Sequence, residues 1–336
     1  MAGRGGRAAR VTGRDWQPTA ARATLERRAG LLARTRRFFS DRGVLEVDTP
    51  LVINTPVTDV HIHSARVKFD AASDSAAAKP YFLHTSPEYA MKRLIACGVG
   101  DIYQICHVVR ALERGRLHNA EFTLIEWYRL GFSLDRLMDE LEALVRALLA
   151  PDAAPRRTER LSYRDAFLRE LAIDPFTTGT EALGHAARQA GFSAGCADRD
   201  ELLEFLMGVR IGPRLGHQSL TFVYGYPASQ ASLARIDPAD PRTAQRFELY
   251  CDGVELANGF DELADADEQR VRFEHDLDAR RRLGLPVAGL DERLLAALQA
   301  GLPPCCGVAL GFDRTLMLAV GAARIDEVLT FPIERA

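Results

Sequence analysis

The hydrophobic positions of this chain follow helical spacing in some segments and strand spacing in others. Leu25, Leu32 and Phe39 recur every seven residues, which predicts a helix over about residues 23–42. Segments rich in β-branched and aromatic residues, bounded by turn residues, predict strands. The predicted helices are 23–42, 86–97, 137–149, 262–282, 290–301 and 313–320, and the predicted strands are 44–47, 102–109, 122–130, 219–224, 247–250, 254–257 and 307–311.

A β-hairpin is predicted where Asp252-Gly253 separates two short strand-like segments. A two-residue loop places Tyr250 opposite Glu255, and alternation puts Glu248 on the face of Tyr250. Glu248 and Glu255 should therefore be diagonal neighbours, and the pKa of one should rise unless a cation lies between them. Mg²⁺, held by one or two carboxylates plus substrate phosphates, suits this pair. The alternative is two solvated carboxylates on an exposed face.

The predicted strand 122–130 has one polar face. Alternation directs Glu126 and Tyr128 to one side and Ile125 and Trp127 to the other. A carboxylate beside a phenol suits an ammonium group. The alternative is a half-buried strand with an ordinary polar face.

Two arginine-bearing segments suit phosphate binding. The loop 110–119 carries Arg110, Arg114 and Arg116, which together suit a triphosphate, although a solvated basic loop is the alternative. In 307–314, glycines permit close approach to a strand. Arg314 falls in the first turn of the next helix, where a cation opposes the helix dipole. An anionic phosphate would explain that placement; the alternative is an arginine reaching solvent.

Composition narrows the function class. The 336 residues carry 43 Lys+Arg and 46 Asp+Glu, a net charge of −3, which argues against a chain that mainly coats nucleic acid. The six cysteines form no CxxC pair, and His61 and His63 lack a third ligand, so we expect no zinc site and a reduced, cytoplasmic protein. No apolar segment approaches the roughly 18 residues of a membrane span. Residues 1–15 are interpreted as a disordered basic tail rather than a signal peptide.

Three segments, in this order, resemble the signature motifs of class II aminoacyl-tRNA synthetases, most closely the lysyl branch. Residues 43–50 and the preceding helix resemble motif 1, residues 110–129 resemble motif 2, and residues 307–317 resemble motif 3. The resemblance implies an α+β fold. We expect one domain over 16–336, with a six- or seven-stranded antiparallel sheet flanked by helices. It also implies a homodimer through motif 1.

The resemblance narrows further to the free-standing elongation factor P–(R)-β-lysine ligase family. Motif 1 begins almost at once, without room for an anticodon-binding domain, so no tRNA partner is expected. Segments 55–61, 85–88, 226–232 and 255–260 are also similar to this family. The family uses ATP and Mg²⁺ to convert (R)-β-lysine into an adenylate and transfers it to a lysine of translation elongation factor P. The alternatives are a truncated lysyl-tRNA synthetase-like enzyme that charges tRNA with lysine, and an inactive paralogue acting as a binding subunit.

The resemblance implies a role for each matching position. Glu248 and Glu255 would hold Mg²⁺, and Arg110 and Arg314 would be the catalytic cations, with adenine between Phe122 and Arg314. The implied ATP site comprises Arg110, Ala111, Leu112, Glu113, His118, Asn119, Phe122, Glu255, Leu256, Gly311 and Arg314. The implied amino-acid site comprises Ser86, Pro87, Glu88, Glu126, Tyr128, Asn258, Glu262 and Ala309, whose three glutamates suit a diamine. Lysyl-tRNA synthetases usually have glycine in place of Ala309, which favours β-lysine over α-lysine.

One segment departs from the family pattern. After the motif 2 arginine the family usually has Asn-Glu, whereas here Arg110 is followed by Ala-Leu-Glu113. Either Glu113 substitutes from the next position, or adenine is held by the backbone and stacking alone. This loop is the only support for the inactive paralogue.

Overall fold

The computed structural model describes residues 16–69, 80–149, 156–193 and 198–336. The predicted tail 1–15 lies outside the described residues. The helices are α1 Arg22–Ser40, α2 Glu88–Ala96, α3 Leu134–Leu149, α4 Tyr163–Leu171, α5 Thr180–Gln189, α6 Arg199–Leu206, α7 Ala266–Arg282, α8 Glu292–Gly301 and α9 Phe312–Val320. The strands are β1 Leu45–Glu46, β2 Val52–Ile53, β3 Arg66–Val67, β4 Tyr81–Leu83, β5 Ile102–Val109, β6 Glu121–Leu130, β7 Arg157–Ser162, β8 Ser219–Pro227, β9 Thr243–Cys251, β10 Val254–Asp261 and β11 Cys305–Gly311.

The main sheet corrects the predicted strand count. Within the described residues it has eight strands in the order β1-β5-β6-β11-β10-β9-β8-β7. The six central strands pair antiparallel, as predicted, but β1 and β7 pair parallel with β5 and β8 at the two edges. The α+β class is confirmed, and the sheet is mixed rather than wholly antiparallel. Strand β7 was not predicted, because charged residues such as Arg157, Glu159 and Arg160 interrupt any alternation of apolar and polar residues.

The two faces of the sheet carry different layers. Trp127 packs with Phe39 and Leu141 in a core shared by α1, α3 and α9. Its neighbour Tyr128 points the other way, into a cluster formed with α2, α7 and α8. This alternation along β6 is the one that the sequence predicted. Tyr250 faces a third cluster, formed with α4, α5 and α6. The central strands between Tyr128 and Tyr250 form the floor of a cavity.

Segment 156–241 holds more structure than its sequence indicated. The sequence predicted only the strand 219–224 there, whereas the structure adds β7, α4, α5, α6 and a π-helical turn over Met207–Ile211. The three helices pack on the sheet beside the cavity, so α6 contributes to the cavity wall. Short amphipathic helices with alanine- and arginine-rich sequences give weak periodic signals, which explains why they were not predicted.

Candidate active site

A cavity of about 800 Å³ opens on the sheet face between α2, α6 and α7. Most of the residues that the resemblance implicated line it, although they come from segments far apart in sequence. The predicted residues that line the cavity are Ser86, Glu88, Arg110, Glu113, His118, Asn119, Phe122, Glu126, Tyr128, Glu255, Leu256, Asn258, Glu262, Ala309, Gly311 and Arg314.

Four predicted site residues do not line the cavity: Pro87, Ala111, Leu112 and Glu248, the last of which is described below. Pro87 is the N-cap of α2, and its carbonyl accepts the first helical N–H groups. The backbone N–H of Ala111 donates to the carbonyl of His63, 2.8 Å away, and the Leu112 side chain is 72% exposed. The direct contacts predicted for these residues stay predictions, since a residue whose side chain does not line the cavity can still contribute its backbone.

The predicted hairpin forms, and a bulge in it decides which side chains face the cavity. Asp252 and Gly253 both have positive φ angles, 50° and 74°, as a tight hairpin turn requires. Glu255 pairs with Tyr250 as predicted, but the register then shifts, so that Asn258 rather than Ala257 lies opposite Glu248. The bulge brings Asn258 onto the cavity face with Glu255, although the two residues are three apart in sequence.

The two hairpin carboxylates share one electrostatic environment. Burial, followed by the charge of Glu248, raises the pKa of Glu255, whereas Arg314, Arg110 and Arg246 lower it. Glu255 faces the cavity itself, since 42% of its side chain remains open and its carboxylate lies 3.8 Å from Arg314. The predicted mutual repulsion is therefore present.

Glu248 is not exposed to the cavity in the same way. It is buried, its Oε1 accepts a hydrogen bond of 2.6 Å from Arg246, and its Oε2 accepts one of 2.6 Å from the hydroxyl of Tyr250. Arg246 also donates to Asn258 Oδ1 at 3.2 Å. Arg246 is thus the built-in cation of this carboxylate pair. Its position two residues before Glu248, on the same strand face, was a signal that the sequence analysis missed.

Arginines line the opposite side of this region. The Arg110 guanidinium lies 5.2 Å from the ring centroid of Phe122 and donates to Glu113 Oε1 at 3.0 Å. Arg314 donates to the carbonyls of Leu117 and Glu255, and its Nη2 lies 2.6 Å from His118 Nε2. Because a guanidinium can only donate, His118 Nε2 must accept.

Two polar side chains of segment 110–129, His118 and Asn119, are held in place by hydrogen bonds. Burial and the charge of Arg314 lower the pKa of His118, so its imidazole is neutral and can accept from Arg314. The amide of Asn119 donates to the carbonyl of Glu121 at 2.6 Å and accepts from the N–H of Ile333 at 3.1 Å. Asn119 therefore links the segment around Ile333 to strand β6 beside the cavity.

The other end of the cavity holds three buried or partly buried carboxylates. Glu126 accepts from the hydroxyls of Ser86 and Tyr128, each at 2.7 Å. Burial, followed by the charge of Glu88, raises the pKa of Glu126 to about 7. Burial raises the pKa of Glu262 to about 8, although Lys92 opposes that shift. Both pKa values are raised chiefly by burial, and the charge of Glu88 adds to the shift, so these carboxyl groups hold protons near pH 7.

Lys92 is the residue of this region that the sequence analysis missed. Its Nζ lies 2.6 Å from Glu88 Oε1 and 2.6 Å from Glu262 Oε2, and its side chain is 1% exposed. The spacing of Glu88 and Lys92, four residues apart on α2, is the typical spacing of a helical ion pair and was visible in the sequence.

The strand β11 connects the two ends of the cavity. Ala309 lies between Glu126 on β6 and Asn258 on β10, and Gly311 lies two residues further along the same face. A Cβ atom at Gly311 would meet no protein atom closer than 3.5 Å, so the packing of the chain itself does not require glycine there. A Cβ at Gly307, in contrast, would lie 2.4 Å from both Glu262 and Tyr128.

The two hairpin carboxylates, Glu248 and Glu255, could hold Mg²⁺ only if phosphate oxygens supplied further ligands. Among the described residues no group of three or more His, Cys, Asp or Glu side chains is placed to hold a metal ion. Two carboxylates, one of them open to the cavity, match a magnesium ion that keeps most of its ligands from water and substrate phosphates.

Comparison with known proteins identifies the family. A model described as "tRNA synthetases class II (D, K and N)" matches residues 10–335. A protein of Proteus mirabilis named elongation factor P–(R)-β-lysine ligase is 49% identical over 326 residues, which cover 96% of this chain and 98% of that protein. A protein of the same name from Vibrio cholerae is 46% identical over 329 residues, covering 97% of this chain and 100% of that protein.

This chain belongs to the elongation factor P–(R)-β-lysine ligase family. Membership of that family, together with the class II synthetase domain, makes it an ATP-dependent ligase. None of the helices in the described part of this ligase is long and apolar enough to cross a membrane.

Proposed function

We propose that this ligase activates (R)-β-lysine with ATP and transfers it to a lysine side chain of translation elongation factor P. The names of the relatives support the substrate and the acceptor. The observation that carries the proposal is the position of β11, which joins an arginine-rich nucleotide region to a carboxylate-rich amine pocket. Ala309 and Gly311 share one face and are two residues apart, a span of about 7 Å. A substrate carboxylate between them would lie beside the α-phosphate of ATP.

The proposed first step is formation of an acyl-adenylate. The carboxylate of the amino acid attacks the α-phosphorus in line, and pyrophosphate leaves with the electrons of the broken P–O bond. Arg110 is proposed to bind the α-phosphate, and Arg314 to stack on adenine opposite Phe122 and reach the terminal phosphate. Their fixed hydrogen bonds support such positioning, which supplies much of the catalysis in phosphoryl-type transfers.

The altered motif 2 loop is compatible with ATP binding. Glu113 lines the cavity and contacts Arg110, whereas Ala111 and Leu112, which stand where the family usually has Asn-Glu, do not line it. We propose that Glu113 takes the place of the usual family glutamate beside adenine, which is the first of the two possibilities left open by the sequence.

The proposed metal ligands are Glu248 and Glu255. When bound there with ATP, Mg²⁺ would neutralise charge on the phosphates of the leaving group. The side chains present contribute the rest: Glu255 offers an open carboxylate, and Arg246 holds Glu248 in place.

In the proposed second step, the amine of the acceptor lysine attacks the carbonyl carbon of the mixed anhydride. A C–N bond forms, the C–O bond to AMP breaks, and the amine loses a proton.

We further propose that the enzyme is a homodimer, that it acts in the cytoplasm, and that tRNA is not its substrate. Leu45 and Leu51 near motif 1 are exposed and apolar, which supports an interface at that edge.

ATP–pyrophosphate exchange tests the first step. We expect exchange with (R)-β-lysine, weaker exchange with α-lysine, and none with norleucine, which lacks the second amine. Absence of exchange with every amino acid would support an inactive paralogue. Exchange accompanied by charging of tRNA would support a synthetase.

Intact-mass analysis tests the second step. Elongation factor P incubated with the ligase, ATP and (R)-β-lysine should gain the mass of one β-lysyl group, and omission of ATP should abolish the gain. An elongation factor P variant in which arginine replaces the acceptor lysine is the matched control. Modification of that variant would contradict the proposed acceptor chemistry.

A further inference from the structure

Lys92 stands behind the amine pocket rather than in it. It does not line the cavity, but the two carboxylates that it contacts, Glu88 and Glu262, both do. Burial alone lowers the pKa of Lys92, yet the charges of Glu262 and Glu88 outweigh burial and the pKa is raised. Lys92 is therefore a permanent cation held between two of the proposed substrate ligands.

The charge of this pocket does not balance within the protein. Glu88, Glu126 and Glu262 supply three negative charges when ionised, and Lys92 supplies one positive charge. Burial, with a further contribution from the charge of Glu88, raises the pKa of Glu126 to about 7 and that of Glu262 to about 8, so both carboxyl groups hold protons that bound ammonium groups would displace. Two further positive charges would neutralise the pocket, and a diamine with two ammonium groups supplies that number.

We propose that Lys92 is the internal counter-ion of the amine pocket: it neutralises one of three buried carboxylates, so that the pocket presents two negative charges to a substrate with two ammonium groups. Lys92 is thus a positioning and specificity-determining residue that acts through Glu88 and Glu262. The inference rests on the proposed function, because it takes a diamine as the substrate.

Among the described residues, the other titratable groups that face this cluster are phenols and thiols rather than a second cation. Tyr128 on β6 donates to Glu126, and Tyr89 on α2 lies near Glu88. Cys305 on β11 faces Glu262 and Lys92, and Cys106 on β5 faces Glu126; burial raises the pKa of both thiols. These phenols and thiols are neutral near pH 7, so the balance depends on the three glutamates and Lys92.

The test measures the KM for (R)-β-lysine in ATP–pyrophosphate exchange between pH 6.5 and 8.5. In the unaltered enzyme the carboxyl groups must lose protons to bind ammonium, so log KM should fall as pH rises. Lys92→Met removes the internal cation while keeping a long side chain. Lys92 lowers the pKa of both Glu126 and Glu262, so its loss should raise them further, and log KM should continue to fall to a higher pH than in the unaltered enzyme. At pH 7 the KM of Lys92→Met should exceed that of the unaltered enzyme by about tenfold or more. The ratio of the two KM values should fall toward pH 8.5.

Lys92→Arg is the matched variant, since it keeps the charge and should keep the original pH dependence. The kcat and the KM for ATP should change by less than about threefold in both variants at pH 8.5. If log KM of Lys92→Met levels off at the same pH as in the unaltered enzyme, or if KM rises equally at every pH, the inference is overturned, since either result means that Lys92 only packs α2 against β10.

Failure of the proposed function, and misfolding of Lys92→Met, can each be told apart from failure of the inference about Lys92. Absence of exchange with any diamine by the unaltered enzyme would contradict the proposed function rather than the role of Lys92. If Lys92→Met does not fold, calorimetry of the unaltered enzyme in buffers of different ionisation enthalpy still decides. Binding of (R)-β-lysine at pH 7 should release about one proton, and norleucine should release fewer. Release of no proton would mean that the carboxyl groups do not change protonation on binding, which contradicts the inference that the two ammonium groups replace protons in this pocket.

Discussion

The cavity contains two carboxylate clusters, each paired with protein cations, and they differ in exposure. At the hairpin, Arg246 neutralises Glu248, and Glu255 remains open to the cavity. At the other end, Lys92 is enclosed with Glu88 and Glu262, at 1% side-chain exposure for both Lys92 and Glu262. An open carboxylate suits a hydrated metal ion with phosphates, whereas an enclosed cluster suits organic ammonium groups that have lost their water.

The difference shows how one fold can distinguish two cationic ligands. In both clusters protein cations balance part of the negative charge: Arg246 and Arg314 at the hairpin, and Lys92 at the other end. Accessibility then selects the ligand, because a divalent ion that keeps its waters does not fit an enclosed pocket. If the comparison is right, substitutions in the first cluster should affect chemistry, and substitutions in the second should affect amino-acid binding.

The largest effect is expected for Glu255→Gln. Loss of the open carboxylate should lower the rate of pyrophosphate exchange by at least about a hundredfold, because charge on the phosphates is no longer neutralised. The variant should remain folded, since burial and the charge of Glu248 already disfavour the ionised form. Circular dichroism and Tm check folding. The exposed Glu26→Gln is the control, and near-normal exchange by Glu255→Gln would refute the metal assignment.

Glu126→Gln should act on binding rather than on chemistry. A charge-assisted hydrogen bond contributes about 1.5–3 kcal/mol, so the KM for (R)-β-lysine should rise about ten- to a hundredfold, with the KM for ATP changed little. Glu140→Gln is a matched control, because Glu140 is also buried but bonds Trp127 on the opposite face of β6. A larger change in the KM for ATP than for the amino acid would break the proposed division between clusters.

The pH dependence of stability sharpens the comparison. Glu126 and Glu262 have folded-state pKa values of about 7 and about 8, above the ordinary value of 4.5, so the folded chain binds protons that the unfolded chain does not. Their contribution to the free energy of unfolding therefore falls as pH rises from about 4.5 to 8. A saturating diamine should reverse this loss, so its increase in Tm should be larger at pH 8 than at pH 6. Scanning fluorimetry measures both; equal increases would contradict the prediction, and norleucine is the control ligand.

The smallest effect is expected for Ala309→Gly. Ala309 lies between Glu126 and Asn258, and removal of its methyl group would enlarge the space between the two strands that flank the substrate. The ratio of kcat/KM for α-lysine to that for (R)-β-lysine should rise about three- to tenfold, since one methyl group corresponds to about 1 kcal/mol. Ala187→Gly, in the core cluster around α5, is the control; a fall in the ratio would reverse the proposed role of this methyl group.

Short-range signals predicted much of the fold and part of the site. Asp252-Gly253 predicted the hairpin and the pairing of Tyr250 with Glu255, and alternation predicted the two faces of β6. Asn258 was predicted as a site residue from the family resemblance and not from its spacing to Glu255. Alternation from Glu255 would have put Asn258 on the opposite face, and only the observed bulge explains its position.

The sequence by itself determined the local elements, since turn chemistry and the two-residue and 3.6-residue periods act between near neighbours. It also specified the carboxylates and arginines from which a site is built. Tertiary structure decided how these groups are neutralised: Lys92 meets Glu262 from a helix 170 residues earlier, and β1 and β7 join the sheet through parallel pairings. Such contacts depend on how distant segments pack, and the pKa of a buried carboxyl depends on the charges that packing brings near it.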